Sequence, residues 1–348
     1  MRKRPKQIWV TEEEKEAFQR LQEQCDKHNI PLTVVKRGWS KTSEGTVSWE
    51  NPAYRKPDEV DYFQVRDATI AEMKQYAPKY KKIDREIEFK GNMAFISLAD
   101  FHFNKLCEVS VSGNEYNLDI AMSRLEEGLA NLLAMSQGFG VERYVLVIGN
   151  DMLNSDTPKG TTTAGTHQDN DKHWTTAYRV AKEGLIFAVE TLVQYADVHI
   201  IHCPSNHDYQ MGWALADCIA SWFSKHPNVT SDVSIRHRKY YQWGLNMIET
   251  DHGDKHRAAD IAGIMAEEQA ELWGKTKHRY SYKHHIHHKD AKVYQKTKEY
   301  VGVTVEHIGS PSPSDEWHDG QGYIGDQVLE LFLHNKERGR FGSFNYKF

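Results

Sequence analysis

Between Met93 and Phe223 short apolar runs alternate with segments of helical period, and few folds accept that alternation. The apolar runs are Met93–Ala99, Tyr144–Ile148 and Val198–Cys203. The helical segments are Leu118–Met135, with Leu118, Met122, Leu125, Leu129 and Leu132 on one face, then Tyr178–Tyr195 and Leu215–Phe223. Strand, helix, strand, helix, strand implies a sheet joined by crossover helices, an α/β fold. After Ser234 the pattern turns β-rich. Ile235–Trp243 and Leu245–Thr250 flank Gly244 as paired strands, and Val301–His307 and Val328–His334 read as further strands of a mixed sheet. Ser310–Tyr323 is polar and reads as a long loop.

Residues 1–90 are charged and weakly patterned, and read as a small N-terminal α+β accessory region, with residues 91–348 forming the main domain. Thr11 followed by Glu12–Glu14 opens a helix to about His28. Leu32–Val35 and Thr46–Trp49 read as short strands, and Glu86–Lys90 as a strand or a linker. The basic pieces Met1–Lys6 and Lys79–Arg85 fit solvated faces. Four cysteines without C-x-x-C spacing suggest neither a thiolate zinc site nor a disulfide framework. The absence of a secretory h-region or an 18-residue apolar run predicts a cytoplasmic chain with no membrane partner. A net charge of −5 gives no global basic field for nucleic acid.

Histidine is over-represented: 15 of the 19 lie from His199 onward. Position gives them meaning, because each apolar run ends in metal-type residues. Met93–Ala99 leads into Asp100-Phe101-His102, and Tyr144–Ile148 into Gly149-Asn150-Asp151. Val198–Cys203 leads into Pro204-Ser205-Asn206-His207-Asp208, and Leu245–Thr250 into Asp251-His252. Tyr280–Lys283 runs into His284-His285-Ile286-His287-His288. In open α/β sheets ligands bind beyond the carboxyl ends of the strands. Any one fragment alone fits a turn or a solvated tract, since Asp, Asn and Gly serve turns readily. Five in order, each at a strand end, fit independent turns poorly.

This ordered set resembles the calcineurin-like metallophosphoesterases, whose pattern runs D-x-H, GD, GNH[D/E], H, GHxH. The resemblance covers Asn92 to about Leu333. It implies a four-layer α/β/β/α sandwich with two mixed sheets. It also implies two divalent ions, Mn²⁺ first, with Zn²⁺, Fe or Mg²⁺ as alternatives, bridged by Asp151. Asp100, His102 and His287 would complete the first ion's ligands, and Asn206, His252 and His285 the second's. His207 would stabilise and protonate the reacting group, and Asp208 would orient His207. Three glycines of the pattern are missing: Asn150 intervenes in GD, Ser205 replaces the first glycine of GNHD, and His284 that of GHxH. His284 and His288 are expected in solvent or in support of the ligands, and His256 at a phosphate or on the surface.

The loop Asn154–Trp174, which carries His167 and His173, is too long and polar for a simple connection. Asp156 in it fits either metal assistance or a turn. With Asp315–Gly320, it is similar to phage- and prophage-type members of the family described as repair exonucleases, which would act in a host cytoplasm. Trp317 fits either base stacking or packing under its own loop. Arg236–Lys239 and Lys275–Arg279 are local basic pieces. The implied function is hydrolysis of a phosphodiester, with DNA as the candidate polymer. A cyclic nucleotide phosphodiesterase or phosphomonoesterase stays open beside it, as does a metal-bearing scaffold. Oligomeric state stays open.

Overall fold

The computed structural model describes residues 12–28, 30–32, 35–42, 45–51, 54, 78–85, 90–285, 297–314 and 325–348. Two compact units divide the chain, residues 1–75 and 76–348.

The first unit contains helix α1 (Glu12–Lys27) and the antiparallel hairpin of β1 (Arg37–Thr42) with β2 (Gly45–Glu50). The strand expected over Leu32–Val35 is not found at its described ends, where Leu32 lies in a 3-10 turn and Val35 is irregular. The Asn51 amide donates to both carbonyls, at 2.8 Å each, so a side chain satisfies what a ladder would have.

The second unit opens with β3 (Asn92–Ser97), α2 (Val109–Ser112), α3 (Leu118–Ser136) and β4 (Val141–Gly149). Next come α4 (Trp174–Leu192), β5 (Asp197–Cys203), α5 (Tyr209–Trp222) and β6 (Val229–Asp232). The β-rich part holds β7 (Lys239–Trp243), β8 (Asn246–Asp251), α6 (Ile261–Glu268), α7 (Ala270–Lys275), β9 (His278–Lys283), β10 (Thr297–Tyr300), β11 (Val303–His307), β12 (Val328–Asn335) and β13 (Gly339–Lys347). Among the described residues, one sheet has six strands in the order β13-β12-β3-β4-β5-β6, and the other five in the order β10-β11-β9-β8-β7. In the first, β3 to β6 run parallel while β12 and β13 are antiparallel. In the second, β8, β9 and β11 run parallel, flanked by antiparallel β7 and β10. Both sheets are mixed.

Side-chain alternation along the strands builds the layers. Ala94, Ile96, Tyr144, Leu146, Val198 and Ile200 face α3, α4 and α5 in one core. Met93, Phe95, Val145, Val147 and Ile201 face the other way, against Ile248, Tyr280 and Tyr282 of the second sheet. Phe95 and Tyr282 stack across that interface with ring centroids 4.4 Å apart. The far face of the second sheet carries Met247, Val303 and Val305, which pack on Ile261 and Met265 of α6. The architecture is thus the four-layer α/β/β/α sandwich with two mixed sheets.

Helix α3 starts where Asn117 caps it, its side-chain oxygen accepting from the Ile120 N–H at 2.9 Å. Leu118, Leu125, Leu129 and Leu132 then form the buried stripe. Among the described residues no helix is long and apolar enough to cross a membrane. Because β3, β4 and β5 run parallel in one sheet and β8 and β9 in the other, each sheet gathers its carboxyl ends at one edge. Both edges contribute to the site described next.

Candidate metal centre

The loops after β3 and β4 run side by side. The Asp100 N–H donates to the Asn150 carbonyl at 2.7 Å, the His102 N–H to the Asp151 carbonyl at 3.0 Å, and the Phe103 N–H to the Met152 carbonyl at 2.8 Å. Their backbones are strained in concert. Asp100, His102, Asn150 and Asp151 have φ of 57°, 44°, 49° and 59°, and His285 across the site has 68°. Non-glycine residues hold such angles at about 1–3 kcal/mol each, and the cost concentrates at functional sites. Gly149 precedes them at φ 91°, and a Cβ there would lie 2.5 Å from His202 Nδ1 and 2.6 Å from the Cys203 carbonyl.

Asp151 is at the centre. It is 1% exposed. One carboxylate oxygen accepts from the His207 N–H at 3.0 Å, and the other lies 3.2 Å from His252 Nε2. Two groups of ligand atoms, each mutually within 4.8 Å, share it: His102, Asp151 and His207, and Asp151, His252 and His285. Asn206 joins the second through its side-chain oxygen, 2.7 Å from His252 Nε2. The rings of His102 and His207 meet edge-on at 4.6 Å, and those of His252 and His285 lie 4.8 Å apart. Asp100 stands outside both groups, though it is fully buried and its charge reaches His252. His287 lies outside the described residues, as do His288, Trp317 and the rest of Asp315–Gly320, Met1–Lys6, and residues 86–89.

The electrostatics fit a cation. Burial alone would raise the Asp151 carboxyl, but His252, His207 and His102 around it hold it well below the usual range. Burial alone would lower His252, yet Asp151 reverses this and lifts it to about 9. A carboxylate ringed by imidazoles, with His252 drawn into its charged form, suits divalent ions of the Mn²⁺, Fe or Zn²⁺ type, which take mixed nitrogen and oxygen ligands. The residues present therefore fit the implied ions.

A pH dependence follows. The raised His252 value contributes stability that is complete below its ordinary value near 6.5 and is lost as pH rises through about 9. A metal needs the neutral ring, so binding must expel that proton. Calorimetry of Mn²⁺ binding in two buffers of different ionisation heat is expected to register proton release at pH 7.5 that declines toward pH 10. Release that is absent, or constant across that range, would contradict the assignment of His252.

The substituted glycine positions have found other work. Ser205 Oγ accepts from the Asp151 N–H at 2.8 Å and donates to Asp208 at 2.6 Å. Asn150 tolerates its left-handed backbone, and its amide meets His284 Nδ1 at 3.0 Å. His284 is fully buried rather than solvated. Its Nε2 lies 2.7 Å from Ser97 Oγ and its Nδ1 2.9 Å from the Asp251 carbonyl, which ties β3, β4 and β8 together beneath the site. Burial pushes it down to about 4, so it is neutral at pH 7.

One expectation needs correction. Asp208 does not hold the His207 ring. Its carboxylate accepts from the Leu153 N–H at 2.8 Å and from Ser205, and His207 Nδ1 instead meets the Asn154 carbonyl at 3.0 Å. Burial, then the charge of Asp151, raises Asp208 to about 7. Gly212 explains the enclosure, since a Cβ there would lie 2.7 Å from that carboxyl. For Asp156, of the two roles open to it, the contacts are those of a backbone-binding turn residue. It accepts from the Gln210 and Met211 N–H groups at 3.0 and 2.8 Å, capping α5 from the 154–174 loop. His256 is not on the open surface: its Nε2 meets Asp251 at 2.7 Å. In the loop, His167 is exposed, and His173 caps α4 by accepting from the Thr175 N–H.

No family model matches the sequence, and no curated protein matches it. Among solved structures it matches the crystal structure of Vps29 from Chaetomium thermophilum, at 11% identity over 76% of this chain and 97% of that chain, with a TM-score of 0.29.

Proposed function

We propose that this chain is a dinuclear-metal-dependent phosphoesterase of the calcineurin-like kind. The observation that carries the reading is the single buried carboxylate, Asp151, common to two imidazole-bearing groups of ligand atoms. When bound, the ions would supply Lewis-acid stabilisation of the phosphoryl oxygens and a nucleophile at neutral pH. Asp151, His102 and Asp100 would hold one side, and Asn206, His252 and His285 the other.

His207 would serve the leaving group. A carbonyl can only accept, so the Nδ1 that faces Asn154 carries a hydrogen. In the doubly protonated ring Nε2 is then the nitrogen able to deliver a proton, leaving the neutral ring with its hydrogen on Nδ1, and the ring is oriented for that by the backbone rather than by a carboxylate. The Asp151 side chain, which accepts from the His207 N–H, also fixes the start of that segment.

Within this class we read the substrate as a phosphodiester of nucleic acid, cleaved in the manner of phage-type repair exonucleases, with Mn²⁺ as the working ion. The polar 154–174 loop supports this: Lys159, His167, Lys172, His173 and Trp174 line one open cleft, a mix of cationic and aromatic groups suited to a strand. The test is Mn²⁺-dependent hydrolysis of an aryl phosphodiester, then of single- and double-stranded DNA. Cleavage of all classes of ester is expected, with DNA cleaved at the higher kcat/KM. Cleavage of the aryl ester but never DNA would favour a small substrate. No hydrolysis by metal-loaded protein would leave only a scaffold.

A further inference from the structure

Lys283, the last residue of β9, buries its ammonium, with 2% of its side chain exposed. Nζ donates to Asp251 at 2.7 Å and to Glu249 at 3.3 Å, and lies 3.2 Å from His256 Nε2. Glu249 and Asp251 are two apart on β8 and so share a face, the one on which Met247 packs against α6. Ser281, on the same face of β9, donates to the same Glu249 oxygen at 2.5 Å. Glu249, Asp251 and His256 offer ligand atoms within 4.8 Å of one another. The lysine ammonium stands among them as a tethered cation.

Burying such charges is an expensive way to join two strands that apolar residues could join. The location gives it a reason. Asp251 is the register partner of Lys283 across the parallel β8–β9 pair. One residue beyond Asp251 is His252, and two beyond Lys283 is His285. His256 extends the contact to the loop that leaves His252. The charge cluster therefore locks the two strand ends at the step from which both imidazoles depart.

We propose that Lys283 is a positioning residue, whose contacts with Asp251, Glu249 and His256 set His252 and His285 at ligand spacing before any metal arrives. This rests on the metal-centre reading above. The test uses the full chain carrying Lys283→Met, titrated with Co²⁺ while visible absorption and bound metal are followed, with near-UV circular dichroism as the check of folding. One of the two equivalents should weaken by about tenfold to a hundredfold, the range for residues that support ligands. The absorption bands of that equivalent alone should change. Unchanged affinities and bands in a folded variant would overturn the inference, as would equal weakening of both equivalents. If Lys283→Met does not fold, His256→Gln decides. Selective weakening of one equivalent supports the role, and wild-type binding or equal weakening of both overturns it. A wild-type chain that takes up no Co²⁺ would instead overturn the metal centre itself, and this inference with it.

Discussion

Replacing Asp151 with asparagine is expected to strip the protein of most of its metal and to cut turnover roughly a thousandfold. The shape hardly changes. Asparagine tolerates the φ of 59° at this position, and its side-chain oxygen can still accept from the His207 N–H. What goes is the charge that both groups of ligands share, the charge that also holds His252 protonated. Metal ions supply several kcal/mol of transition-state stabilisation, and at about 1.4 kcal/mol per factor of ten that is roughly three decades in rate. Metal analysis of the dialysed variant, beside its kcat/KM on an aryl phosphodiester, checks both parts. The fold should survive, but near neutral pH the metal-free variant should unfold at a lower temperature than metal-free wild type, because the stability carried by the raised His252 goes with the charge. Full metal content with full activity would refute the central position of Asp151.

His207→Gln should separate catalysis from binding. We expect it to keep its metal and lose about 10²–10⁴ in turnover, the usual range for a general acid or base. The loss should be larger for esters with alkyl leaving groups than for p-nitrophenyl esters, whose anion leaves without a proton. The geometry makes this a sharp test, because His207 also lies within ligand distance of His102 and Asp151. A variant that loses metal in step with activity, with no dependence on leaving group, would make His207 a ligand instead. An unchanged rate would remove it from the chemistry.

The parts of this fold that were legible are those with strong periodicity. β3, β4 and β5 are buried on both faces between helices and a second sheet, so each appears as an unbroken apolar run. Their ends could be marked by Asp100, Asp151 and Asn206 for the same reason. Helices α6 and α7 were not expected. They are eight and six residues long, and α6 buries only Ile261, Ala262 and Met265, too few positions for a 3.6-residue period to emerge. Strand β13 was also hidden: glycines interrupt it, and its alternation leaves most side chains half-buried or exposed. Ile235–Trp243 began too early, since the strand starts at Lys239, whose ammonium turns back to Asp232 and Ser234.

Within the site, residue types were legible and partnerships were not. The family resemblance implied that Asp208 orients His207, but adjacent side chains diverge at the entry to a helix. The signal for its true role was present in Ser205 and Gly212, a hydroxyl three residues before it and a missing side chain four residues after. For His284, which sits beside His285, solvent and support of the ligands were both open, and the buried, supporting place is the one it takes. The reversal of backbone at His285, φ 68°, puts the two rings to different uses, one at the ligand cluster and one beneath it. Lys283 carried no signal at all, since a lysine at a strand end is ordinarily exposed.

The most direct test of the account is anomalous diffraction from Mn²⁺-soaked crystals, collected at the manganese edge. Two peaks about 3.5–4 Å apart, one on each side of the residue 151 carboxyl group, are the predicted result. A lone peak that spares this carboxyl, or ions found only at the cluster formed by Glu249 and its neighbours, would contradict it.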